Sequence, residues 1–200
     1  TIKKQEKLVK LVKRGRMLEA SYEAIRFQKL DLFTIALKQI GAYIAKTQFD
    51  DAVGVLLNGD GNENAAAAVA LTTSGSFGYA DLVKLWSELG DFKMNAIVAD
   101  SGAMGKILNL TEVKDAVAGL NFHATGKMVT PLGANLVKSA ALPKNTLLAL
   151  DKNCALEMVC AGDVMVEYDK LIDRQLERAA ITSIAGFSKI FADAVKKMAV

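Results

Sequence analysis

DLFTIALKQIGAYIAKTQFDDAVGVLLNGDGN, residues 31–62, carries a long helical pattern that runs into a turn. Apolar residues recur at helical spacing through Phe33, Ala36, Leu37, Ile40, Tyr43 and Ile44, and positions three and four apart share one helix face. Asp31 stands where a carboxylate can accept from first-turn amides, so it reads as the N-cap. Gly41, inside the pattern, reads as a place where another backbone packs closely. The pattern predicts one helix from about Asp31 to Leu57, roughly 40 Å long at 1.5 Å per residue. That is long for a chain of 200 residues and suits a strut. Asn58, Gly59, Asp60, Gly61 and Asn62 then supply the turn chemistry that ends it.

Upstream, residues 1–16 carry seven basic residues (Lys3, Lys4, Lys7, Lys10, Lys13, Arg14, Arg16) against Glu6 alone. The whole chain nets +3, and the remainder, with 18 basic and 21 acidic residues, nets −3. A basic end on a mildly acidic body suits contact with nucleic acid or a neighbouring subunit, and equally a solvated segment. The near-neutral balance makes no general case for nucleic-acid binding. Lys7 to Lys13 reads as a strand, or through Leu8, Leu11, Val12 and Leu18 as a helical stripe. Gly15 weakens the helical reading by up to about 1 kcal/mol. Ser21 to Ala24 can start a short helical turn.

Downstream, residues 62–78 read as an irregular connection. Asp81 to Leu89 is amphipathic, with Leu82, Leu85, Trp86 and Leu89 on one face and Gly90 as the stop. Asn95 to Ala99 is a buried strand. Ser101 reads as the cap of a helix to about Leu108, and Thr111 to Ala118 adds a short turn. After Gly126 come β-rich stretches at 127–130, 134–138, 146–150, 154–159 and 163–168, punctuated by Pro131, Gly133, Pro143, Asn153 and Gly162. Within 172–190, Ile181 to Ile184 favours a strand. The expected close is a short helix from Ile190 to Met198.

With 52% hydrophobic residues the chain can bury one sizeable core or two small lobes. Cys154 and Cys160, six apart among apolar neighbours, make no disulfide framework and read as buried, reduced thiols. Met158, Met165 and Met198 read as core. No apolar run reaches the length of a membrane helix, and no signal peptide is evident. Thr1 in the place of an initiator methionine predicts a piece of something longer.

Motifs for chemistry fail one by one. Gly59-Asp60-Gly61-Asn62-Glu63-Asn64 follows a helix instead of a strand and lacks the third glycine of a dinucleotide loop. It also lacks the Gly-Lys-Ser/Thr of a phosphate loop and the spacing of a calcium loop. Ser101-Gly102-Ala103-Met104-Gly105 is no nucleophile elbow. His123 has no evident nucleophile beside it. Asp163, Glu167, Asp169 and Asp173 have Lys170, Arg174 and Arg178 among them and read as salt-bridged surface. Expected catalytic residues, cofactors and metals are none.

Several segments in order, across about residues 20–198, resemble the tailed-bacteriophage major capsid proteins, phage and prophage, with the Hong Kong 97-like fold. A long helix runs into Val55-Leu56-Leu57-Asn58-Gly59-Asp60-Gly61. A helix from Leu82 leads to Asn95-Ala96-Ile97-Val98-Ala99-Asp100 and a second helix. Thr130-Pro131-Leu132-Gly133 precedes Ala141-Leu142-Pro143-Lys144-Asn145-Thr146. Then come Leu148-Ala149-Leu150-Asp151-Lys152-Asn153, Ala155 to Met158, Val166 to Gln175, and Ile184-Ala185-Gly186-Phe187. The weight lies in their order, since no single motif is specific.

The resemblance implies an α+β chain with a long spine helix, a peripheral domain at 21–70 and 140–200, and an axial domain at 71–139. Residues 1–20 form a basic segment, a remnant of the extended loop, with the N-terminal arm missing or truncated. It implies a structural, non-enzymatic subunit that self-assembles into an icosahedral head of pentamers and hexamers. That head encloses double-stranded DNA, held only non-specifically, without a membrane. Assembly is expected in the bacterial host cytoplasm and final residence in the virion capsid. Lys170, Asp173, Arg174 and Arg178 are the candidate intersubunit contacts, from composition. An encapsulin-type nanocompartment shell and a small α+β enzyme lining a pocket with His123, Asp100 and Ser101 are the alternatives.

Overall fold

A computed structural model of the chain describes residues 8–27, 32–114 and 129–200. The expected cap Asp31, His123 and the stretches 115–118 and 127–128 lie outside them. The chain divides into two compact units, Val9–Asp51 with Met158–Phe187, and Ala52–Glu157 with Ser188–Val200.

The smaller unit is built on a sheet. Strand β1, Val12–Ser21, is followed by the short helix α1, Tyr22–Phe27, and by the long helix α2, Leu32–Asn58. Strands β6 (Leu156–Cys160), β7 (Met165–Leu171) and the 14-residue β8 (Leu176–Lys189) complete the sheet. β8 is the hub: β1 pairs antiparallel along one side, and β6 and β7 along the other. The ambiguous start of the chain is thus a strand. Gly15 belongs there because a Cβ would meet the carbonyl oxygen of Ile181 at 2.5 Å. At Gly41 the expectation of close packing fails, since a Cβ would find nothing within 4 Å.

The first half of α2 covers one face of this sheet. Ile40 and Ile44 pack on Ile181, with Leu18 and Leu37 beside them. Arg14 forks onto Asp51, with Nη2 2.7 Å from Oδ1 and Nε 3.1 Å from Oδ2. The Arg16 guanidinium lies 3.8 Å from the centre of the Tyr43 ring, a cation–π contact.

The larger unit is a second sheet, in the order β2-β9-β5-β3-β4. Its strands are β2 (Ala67–Ala68), β3 (Ala96–Ala99), β4 (Asn135–Lys138), β5 (Thr146–Leu150) and β9 (Val195–Ala199). β3 and β5 read as unbroken apolar runs because both faces are covered. Ile97, Ala99, Leu147 and Ala149 face one core with Leu82 and Leu85 of α3 (Tyr79–Glu88) and Ile107 of α4 (Ser101–Leu108). Ala96, Val98, Leu148 and Leu150 face the other, with Val53 and Leu56 from the end of α2. A short α5 spans Thr111–Lys114.

The expected closing helix is absent. A 3-10 turn at Ala192–Ala194 leads into β9, which runs antiparallel to β5 and parallel to β2. Ile190, Ala194 and Met198 do fit a helical period, but strand pairing on β5 overrides that local pattern. Residues 62–78, expected to be irregular, contain the short β2.

Buried aspartates fix the turns of this unit. Asp100, not Ser101, caps α4: its carboxylate accepts from Gly102 N at 3.0 Å and Ala103 N at 2.9 Å. Ser101 is the first helical residue and is exposed. Asp81 reaches back to Gly78 N and Thr72 N. Asp151 accepts from Lys93 N, Asn153 N and Asn95 Nδ2. In each, desolvation works to raise the carboxyl, and the donated hydrogen bonds outweigh it and hold the pKa below its usual value.

Candidate subunit interface

The four sequence-derived contact residues fall on one structural feature, the β7–β8 hairpin and its turn at 172–175. Gln175 takes a positive φ of 53° to reverse the chain. The register places Asp169 opposite Arg178, Lys170 opposite Glu177 and Leu171 opposite Leu176. Lys170 Nζ lies 3.0 Å from Glu177 Oε1, its direct cross-strand partner. Asp173 and Arg174 pair with one another in the turn, at 3.8 Å. Arg178 Nε lies 2.8 Å from Glu19 Oε2, on its opposite number in β1. Each charge thus has a partner within its own chain. Such exposed pairs are worth about 0–1 kcal/mol.

The apolar residues around them are unspent. All of β7 except Leu171 is exposed. Tyr168 is 67% and Ile172 82% exposed, and Val164, Met165 and Val166 are each near half. β7 pairs only with β8 among the described strands, so its outer side presents unpaired N–H and C=O groups. An apolar edge of this kind suits association with another protein surface.

The sequence reading missed this apolar set. Met165, expected in the core, is exposed, and so is Met158 in β6, while Met198 is buried as expected. Cys160 is exposed and Cys154 partly so, against the expectation of two buried thiols. Trp86 does not join Leu82, Leu85 and Leu89 inward but stands 54% exposed on α3. One available signal was Ile172, a β-branched apolar residue in a turn beside Asp173 and Arg174.

Of the three residues named for the enzyme alternative, His123 lies outside the described residues. Asp100 spends its carboxylate on the cap of α4, and Ser101 faces solvent. No group of three or more metal-ligating side chains occurs among the described residues, and no described helix is long and apolar enough to cross a membrane.

The model of a phage capsid protein family matches residues 4–191. The chain belongs to the phage capsid protein family. Solved capsids share its fold. The capsid of a native GTA particle is 16% identical with a TM-score of 0.72, over 95% of this chain and 72% of that one. The structure of Mycobacterium phage Che8 is 15% identical with a TM-score of 0.66, over 94% and 70%. An encapsulin complex from Synechococcus elongatus PCC 7942 is 12% identical with a TM-score of 0.66, over 94% and 73%. No curated protein matches the chain. The phage capsid subunit therefore has the Hong Kong 97-like fold, with α2 as its spine helix. Its role is structural and its place is the virion capsid.

Proposed function

We propose that this capsid subunit self-assembles into an icosahedral phage or prophage head of pentamers and hexamers enclosing double-stranded DNA, and that it catalyses no reaction. Assembly takes place in the host cytoplasm, and DNA is held non-specifically. In this reading residues 71–139 form the axial domain, residues 21–70 and 140–200 the peripheral domain, and the basic residues 1–20 the end of an extended loop. The observation that carries the reading is the family match over residues 4–191. The β7–β8 hairpin is the proposed intersubunit contact. Tyr168 and Ile172 supply apolar area there, and Lys170, Asp173, Arg174 and Arg178 supply a charged rim, as at other protein interfaces.

An encapsulin-type shell shares the fold, and one of the similar structures is an encapsulin complex. A neighbouring cargo-enzyme gene favours that reading; terminase, portal and protease genes favour a phage head. The hairpin is tested by sedimentation of the protein beside Ile172→Asp and a Lys170→Glu/Arg174→Glu pair. The expected result is large particles for the parent and small species for folded variants. Particles of equal yield from both variants reject the hairpin as a contact.

A further inference from the structure

Lys189 ends β8 and is only 2% exposed, the largest of the fully buried side chains among the described residues. Its Nζ donates to the main-chain oxygen of Asn64 at 2.7 Å and to that of Leu56 at 3.3 Å. Its backbone N–H donates to Asp60 Oδ2 at 3.0 Å. Leu56 lies in the last turn of α2, where carbonyls run out of partners within the helix. Asn64 closes the turn that follows. That turn is tight on its own account: Gly59 has a φ of +84°, and its N–H binds Val55 O. Asn64 Oδ1 accepts from Asp60 N at 3.0 Å, and a Cβ on Gly59 would meet that same oxygen at 2.5 Å. The oxygen-rich stretch that invites a calcium reading in the sequence therefore wraps an internal cation.

The surroundings of that cation are unbalanced. Asp60 on the turn and Asp193 on the 3-10 turn favour the ammonium, while Lys196 and Lys197 on β9 oppose it. None of the ion pairs among the described residues includes Lys189. A buried ammonium hydrogen-bonded to carbonyl oxygens, with no carboxylate in direct contact, keeps much of its desolvation cost. Burial accordingly dominates and pushes Lys189 down from 10.5 to about 8.

We propose that Lys189 is a titratable clamp on the exit of α2: its side chain fills the oxygen-lined turn and loses its proton inside the folded chain, without leaving that turn. A neutral amine still carries two N–H donors, enough for the Leu56 and Asn64 oxygens. Deprotonation thus removes the cost of a buried charge and leaves both hydrogen bonds. Because the folded value lies below the unfolded one, the unfolded chain holds more protons between about pH 8 and 10.5. The contribution of Lys189 to stability therefore rises with pH through that window and is least below it. A lysine held by a carboxylate shows the opposite trend.

The test is a carbon-13 NMR titration of the sequence-assigned lysine Cε signals in the folded chain. The expected result is a Lys189 midpoint near 8, with the amide signals of residues 58–64 in place throughout. A midpoint near 10.5, or a titration that coincides with loss of those amide signals, overturns the proposal. A second readout compares denaturant unfolding with Lys189→Met. The unfolding-constant ratio between the two proteins should shift in favour of the parent by tens-fold, roughly, between pH 7.5 and 10, and an unchanged ratio contradicts the clamp. Should the variant not fold, the titration of the parent decides alone.

Discussion

Asp100 shows how single residues organise the larger unit. Its two short bonds to Gly102 N and Ala103 N start α4 immediately after the buried strand β3. Asp100→Ala leaves those amides without a partner and should cost about 1–2 kcal/mol, measured by urea unfolding near neutral pH. The same carboxylate, with Asp60, Asp81 and Asp151, is held below its usual pKa: burial works to raise each, and the hydrogen bonds they accept prevail. Folded values depressed in this way stabilise the chain fully above the ordinary carboxylate range, and the gain is lost as pH falls through them. Unfolding midpoints should therefore be level above about pH 5 and drop as pH falls below the ordinary aspartate value of 3.8. Asp100→Asn, which does not titrate, should flatten part of that drop; an unchanged slope contradicts the assignment.

At the scale of elements, α2 was legible because 27 residues of helical pattern end in Asn-Gly-Asp-Gly, and local signals all agree there. β3 and β5 were legible as short apolar runs between turn residues. β9 was not, since Val195 to Ala199 gains its conformation from β5 on one side and β2 on the other, and a single sequence shows neither. Met198 in β9 is 1% exposed, so Met198→Ala should cost about 2–5 kcal/mol. Trp86, half exposed on α3, gives the contrast: Trp86→Ser should change stability by less than about 1 kcal/mol. Thermal melts of the two variants check both, and equal losses would contradict the placement of β9. The charged end of the hairpin was legible from composition. Its apolar side was not, because Met165 reads as a core residue until β7 is seen as an exposed edge.

For the whole molecule, the family supplies the role and the chain's own surface supplies the proposed means. The charges at Lys170, Asp173, Arg174 and Arg178 are paired within the chain, so raising salt should loosen them without dispersing particles held by Tyr168 and Ile172. Light scattering across a salt series checks this; dispersal at high salt would shift the adhesive role to the charges. Copies of this chain are proposed to build a closed shell. Electron microscopy of the purified protein tests this most directly. Closed, regular shells are the predicted result, and a uniform population of small monomers or dimers under every assembly condition would contradict it.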